Sequence, residues 1–235
     1  MAAVQNALER RERRSIFALA GIFGLRLLGL FLVLPVFSVY AHGLHGALEH
    51  PALIGIALGA YGLTQAMFQI PFGKLSDKWG RKPVIAAGLV IFAIGSVIAA
   101  EATSIEWLLV GRIVQGAGAV AAAIIALTAD LVREERWTKA MAIIGITIGI
   151  SFSVSLVLSA PLAHWIGVQG IFWVTAVLSV LAIGVLYKVI PEVPARFHRD
   201  AEMNPAVDGG RQLKREQSNK PMPYKKYIYG RQKAW

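Results

Sequence analysis

GKLSDKWGRKP, Gly73 to Pro83, sets Lys74, Asp77, Lys78, Arg81 and Lys82 between two long runs that carry almost no charge. Read outward from this stretch, the 235-residue chain is 56% hydrophobic and 16% charged, where a soluble domain carries about 25% charged residues. Its apolar residues fall in six blocks, 15–40, 52–73, 83–101, 105–131, 138–164 and 168–190. At 1.5 Å per residue even the shortest is about 28 Å long as a helix, close to the roughly 30 Å of a bilayer core. Backbone groups in lipid need partners within the protein, which leaves helices or closed barrels. The blocks are about twice the length of a barrel strand and do not alternate. The expected fold is an all-α membrane protein with six transmembrane helices.

Lysine and arginine set the expected orientation. Four precede the first block, four lie in the Gly73–Pro83 stretch, three between the fourth and fifth blocks, and eleven from Lys188 onward. The other three connections hold none. By the positive-inside rule both termini are cytoplasmic. The net charge of +10 is therefore topology, and nucleic acid is not the partner it points to. The basic lead-in, 1–14, precedes an apolar run too long for a signal peptide, so the first block reads as an uncleaved helix. No cysteine is present, and no nucleophile–base pair, cofactor loop or metal-ligand set stands out. His42, His45, His50 and His164 fall on the face without basic residues, with only Glu49 as a nearby carboxylate.

Within the opening stretch, Pro71 and Gly73 are expected to loosen the end of the second helix. Gly80 permits a tight turn, and Pro83 suits a first helical turn. Asp77 adds nothing to orientation. The stretch is similar to the signature loop of the major facilitator superfamily, matching it at Gly73, Leu75, Ser76, Asp77, Lys78, Gly80, Arg81 and Lys82. A second family pattern, in the fourth helix, is matched by Arg112, Gln115, Gly116 and Gly118. The resemblance covers about residues 13–194. It implies the N-terminal six-helix half of a twelve-helix fold, built of 3+3 inverted repeats. It also implies secondary transport by alternating access in an inner membrane, efflux included, coupled to protons and moving an unidentified small molecule. The expected partners are the lipid bilayer and either a second six-helix half or a second copy. The competing class is a non-transporting fragment or helix-bundle scaffold; an enzyme is the least favoured reading. One departure bears on drug efflux: where that branch has Gly-Pro in helix five, this chain has Ser159–Ala160, with Pro161 one position late.

For the loop, the resemblance implies a conformational latch of Gly73, Asp77, Gly80, Arg81, Lys82 and Asp130. Asp77 would meet a helix N-terminus in the opposite half, and Arg81 would pair with Asp130. Read alone, Asp130 is equally a solvated acid at a helix end. Arg26 and Arg112 lie inside spans, where a charge costs a few kcal/mol and faces a cavity or a partner. Arg112 either lines the cavity, as the family match implies, or snorkels; Arg26 lines a cavity or packs on polar groups. Gln65 and Gln69, four apart, share a helix face and either line the pathway, with Gln115, or bond between helices. The same alternatives hold for Ser151, Ser153, Ser155 and Ser159. Gly116 and Gly118, and small-residue pairs such as Gly55–Gly59 and Gly145–Gly149, are expected to permit close helix packing. The polar tail, 191–235, reads as disordered, an out-of-frame ending.

Overall fold

The computed structural model describes residues 2–190; the expectations for 191–235 lie outside them. The described chain is helical: α1 (Ala2–Val33), α2 (Phe37–His42), α3 (Ala52–Trp79), α4 (Arg81–Ala100), α5 (Ile105–Ala117), α6 (Ala121–Leu131), a single 3-10 turn (Glu134–Arg136) and α7 (Trp137–Val189).

Three of the expected blocks change shape. The first helix begins at Ala2, ahead of the apolar run, and breaks before α2. Pro35 lies in that break, where it lacks an N–H and disfavours helical geometry at Leu34. The second block runs through Pro71 to Trp79. Lys74, Asp77 and Lys78 are therefore on the last turns of α3, and the expected loop shrinks to one residue. That residue, Gly80, has φ 98° and ψ 150°, a conformation only glycine adopts without strain. The fourth block is two helices, parted at 118–120.

The last two blocks are joined in α7, whose 53 residues would reach about 80 Å as one rod, more than twice the bilayer core. Gly167, at φ 71° and ψ 168°, turns the chain back. Hydrogen bonds show the reversal. Ser151, Ser155 and Ser159 donate to the carbonyls of Gly24, Leu28 and Leu32 at 3.2, 3.0 and 2.7 Å. Both partners advance together, so the first limb runs parallel to α1. Beyond Gly167, Thr175 donates to the Gly29 carbonyl at 3.0 Å. Farther on, Ala182, Leu186 and Ile190 join the core formed by Ala18, Leu19 and Ile22, so the second limb runs antiparallel to α1. Six crossings result. Of the four serines, Ser153 alone is exposed.

α1 is the central post. A core at the basic end gathers Leu19, Ile22, Ile85, Leu89, Ile124 and Leu186. A second, at the opposite end, gathers Val33, Phe37, Ala57, Leu108 and Phe172. α3 is peripheral: its span is 17% buried, against 67% for α1 and 61% for α4. Exposed Trp79 on the basic side, and exposed Trp107 and Trp165 on the other, sit where interfacial indoles collect.

The glycines divide. A Cβ on Gly116 would lie 2.3 Å from the Tyr61 carbonyl oxygen, and one on Gly118 would lie 2.4 Å from that of Gly88. These two do bring helices close. Gly145 and Gly149, and likewise Gly55 and Gly59, would meet nothing within 4 Å. They sit on faces that point away from their neighbours, so among the described residues they pack against nothing.

This contrast sets an expectation. Gly167→Ala places a side chain in a region open almost only to glycine and is expected to destabilise by about 1–3 kcal/mol. Gly145→Ala is expected to be neutral or slightly stabilising. Thermal melting of the two variants in detergent checks both.

Candidate functional site

Two polar clusters stand out, one on the basic face and one inside the bundle. On the basic face, Arg81 opens α4 directly after the Gly80 turn. Its Nε donates to Asp130 Oδ2 at 2.9 Å, and its Nη1 donates to Ser76 Oγ at 2.8 Å and to Asp77 Oδ1. Ser76 in turn donates to the Gly73 carbonyl at 2.7 Å. The Arg81 side chain is only 10% exposed, while Asp77 is 52% exposed and Asp130 22%. Each charge is badly placed on its own helix. Asp77 and Asp130 stand at negative C-terminal ends and Arg81 at a positive N-terminal end. Drawn together, they cancel those penalties and join α3, α4 and α6.

Arg81 thus meets Asp130 as expected. Asp77 has a contact that was not foreseen: it is one turn before Arg81 across the Gly80 corner and pairs with it inside this chain. Lys82 joins neither acid; its Nζ lies 5.8 Å from the centre of the Tyr187 ring. Another ion pair on this face was not foreseen. Glu12, 7% exposed, accepts from the Arg133 backbone N–H at 3.0 Å and from its Nη2 at 3.2 Å.

The second cluster holds both intramembrane arginines, each 1% exposed. Arg26 Nη2 donates to the Gly118 carbonyl and to Tyr61 Oη, both at 3.2 Å, and reaches Gln65 Oε1 at 3.5 Å. Its guanidinium carbon lies 4.8 Å from the Phe92 ring centre. The Gly118 carbonyl that Arg26 reaches lies at the break between α5 and α6, where Gly116 and Gly118 weaken the helix. Arg112 Nη1 donates to Gln115 Oε1 at 2.5 Å, and Gln115 Nε2 donates to Ser96 Oγ at 2.8 Å. Arg112 also stacks on Tyr61, 4.7 Å from its ring centre, and on Phe37 at 5.4 Å. Cation–π contact of this kind is worth about 2 kcal/mol or more when desolvated. Arg112 is thus buried inside the bundle rather than snorkelling.

Tyr61 therefore stands between the two cations, offering its oxygen to one and its ring to the other. No carboxylate pairs with either arginine among the described residues, and Arg26 Nε and Nη1 and Arg112 Nε have no acceptor there. Gln69, one turn beyond Gln65, stays outside this network, its Oε1 buried without a partner. Tyr61, Phe92 and Ser96 were not among the expected site residues. The available signal for Tyr61 was its place one turn before Gln65 on the same helix face.

With this geometry in place the chain can be compared with known proteins. The family profile of the Major Facilitator Superfamily matches residues 14–232. The chain belongs to the major facilitator superfamily. It is 52% identical over 180 residues to the inner membrane transport protein YajR of Escherichia coli K12, covering 77% of this chain and 39% of YajR. An uncharacterized transporter of Buchnera aphidicola subsp. Schizaphis graminum is 45% identical over 170 residues, covering 72% and 43%. The chain thus spans about two-fifths of the length of these relatives. Among solved structures, the human organic anion transporter MFSD10 superposes with a TM-score of 0.68 at 22% identity, covering 77% of this chain and 48% of that one. The peptide transporter PepTSo gives 0.67 at 15%, covering 78% and 39%. The fold is that of one half of a major facilitator protein, and the chain is a multi-pass membrane protein of a transporter family.

The basic-face cluster can be dissected by mutation. Arg81→Ala and Asp130→Ala are each expected to destabilise the bundle by about 1–3 kcal/mol, because each removes a charge-assisted hydrogen bond from a partly buried group. The double variant is expected to cost clearly less than their sum. Asp77→Asn, at an exposed end of the same pair, is expected to cost under about 1 kcal/mol. A double-mutant cycle on thermal stability in detergent measures all three.

Proposed function

We propose that this chain forms one six-helix half of a secondary transporter that moves a small molecule by alternating access, coupled to protons, with Arg112, Tyr61 and Arg26 at its polar centre. The observation that carries the reading is the burial of two arginines around one tyrosine, inside a span and without a carboxylate partner. Lipid would expel such charges. A transporter holds them because a moving anion or proton needs them, and three guanidinium nitrogens without acceptors offer places to bind one. In this reading Gln65, Gln69 and Gln115 line the pathway beside the arginines.

The remaining surfaces fit the same reading. α3 is the least buried of the first four spans, with Leu63, Met67 and Ile70 exposed. The first limb of α7 exposes Ile146, Ile150 and Val157. These flanks would face a second six-helix half, or a second copy, across the substrate path. The Arg81–Asp130–Asp77 cluster would then act as the latch on the cytoplasmic side, opening and closing as the halves rock.

Transport is testable by joining residues 1–190 to the C-terminal half of the Escherichia coli relative and measuring proton-driven uptake or efflux in vesicles. Arg112→Ala is expected to reduce transport more than tenfold with membrane abundance unchanged, and Tyr61→Phe is expected to shift its pH dependence. Normal transport and a normal pH profile in Arg112→Ala would defeat the role given to it, and leave the scaffold reading in place.

Orientation is a separate expectation. A cysteine at Gly46 or Gly167 should react with an impermeant maleimide applied to intact cells. One at Lys78, exposed on the basic face, should react only after the cells are opened.

A further inference from the structure

On the basic face, beside the start of α7 and one helical turn from the Glu12 pair, lies a cleft of about 490 Å³ lined by Arg13, Ile16, Phe17, Arg136, Lys139 and Ile143. Three of the six are cations and three are apolar. Among the described residues no carboxylate engages Arg13 or Lys139. Glu12, the residue before Arg13, is turned to Arg133, with Arg136 Nη1 at 3.7 Å. Cations gathered this closely repel one another unless an anion joins them.

The order of residues along the two helices says what kind of anion. In α1, Phe17 follows Arg13 by four residues; in α7, Ile143 follows Lys139 by four. Residues four apart share a helix face, and the second of each pair is about 6 Å deeper along the axis. α1 and the first limb of α7 run parallel into the membrane from the basic face. Both walls therefore present a cation at the rim and an apolar group one turn below. Phe17 is 58% exposed, an aromatic ring with no protein cover at that depth. A free phosphate would use the cations and leave Phe17 idle. A phospholipid uses both levels.

We propose that this cleft binds the phosphate of an anionic phospholipid through Arg13 and Lys139, with Arg136 beside them, and seats its acyl chain against Phe17 and Ile143. The site is separate from the buried arginine pair and does not depend on the transport reading. Lipid bound there would bridge the lead-in of α1 to the start of α7.

The test uses the full chain in detergent, titrated with phosphatidylglycerol or with phosphatidylcholine of the same acyl chains, counting retained lipids by native mass spectrometry. The parent chain is expected to hold one phosphatidylglycerol in preference to phosphatidylcholine. Arg13→Gln with Lys139→Gln is expected to weaken that binding on the order of tenfold or more. Should the double variant not fold, Lys139→Gln alone, an exposed position, is expected to weaken it several-fold. Lys74→Gln with Lys78→Gln, cations elsewhere on the same face, is expected to leave it unchanged; an equal loss there would reduce the effect to general surface charge and overturn the site. Glycerol phosphate at millimolar concentration is expected not to displace the lipid, and effective displacement would show an anion site with no use for the chain. Equal retention of the two lipids by the parent would also overturn the proposal.

Discussion

One guanidinium holds the middle of this bundle together. Arg26 projects from α1 and, through Nη2, reaches Tyr61 and Gln65 of α3 and the carbonyl of Gly118 between α5 and α6, with the face of Phe92 of α4 against its guanidinium. A cation inside a span can stay only if its surroundings replace water on several sides, and here four elements supply that replacement. The Gly118 carbonyl it bonds lies where α5 and α6 part, and Gly116 and Gly118 bring that break close to α3 and α4. Tyr61, fixed by Arg26, then lies under Arg112, so the position of the second cation follows from that of the first.

The basic face works differently. There the charges are near water, and their arrangement is governed by the helix ends. The single-residue corner at Gly80 puts the C-terminus of α3 and the N-terminus of α4 side by side, and Asp130 ends α6 next to both. Three helix ends with uncomfortable charges share one arginine. Such an assembly is easily disturbed at its centre, because removing Arg81 returns both acids to unfavourable dipoles. That suits a contact that has to break and re-form, whereas the desolvated contacts around Arg26 suit a permanent fixture.

The crossings and the basic face were legible in the sequence because they rest on strong, local signals, apolar length and lysine and arginine placement; the Arg81–Asp130 contact was implied by the family resemblance and not by the residues alone. The rest was hidden for physical reasons. Pro71 was expected to weaken the end of α3, yet the helix continues to Trp79 because tertiary packing outweighs a local breaker. The Asp77–Arg81 pair was hidden because only the geometry of the Gly80 corner reveals that the two are within reach. The break at Gly118 has Gly116 and Gly118 as local weak points, but its contact with Arg26, ninety-two positions away, is not visible in the sequence. Tyr61 reads as an ordinary apolar-face aromatic until two arginines are seen on either side of it. Gly145 and Gly149 have the spacing of packing glycines, but spacing alone does not say which face meets a neighbour.

The corner at Gly167 bears on how the chain enters the membrane. With a single residue joining the limbs of α7, no polar segment lies between them to hold in water while the next limb is made. The two limbs are expected to cross as one hairpin, after α1 is already in place. Ser151, Ser155 and Ser159 on one limb and Thr175 on the other all donate to α1 carbonyls. The incoming hairpin therefore meets a prepared row of acceptors and docks by register, its hydroxyls selecting the depth at which it comes to rest.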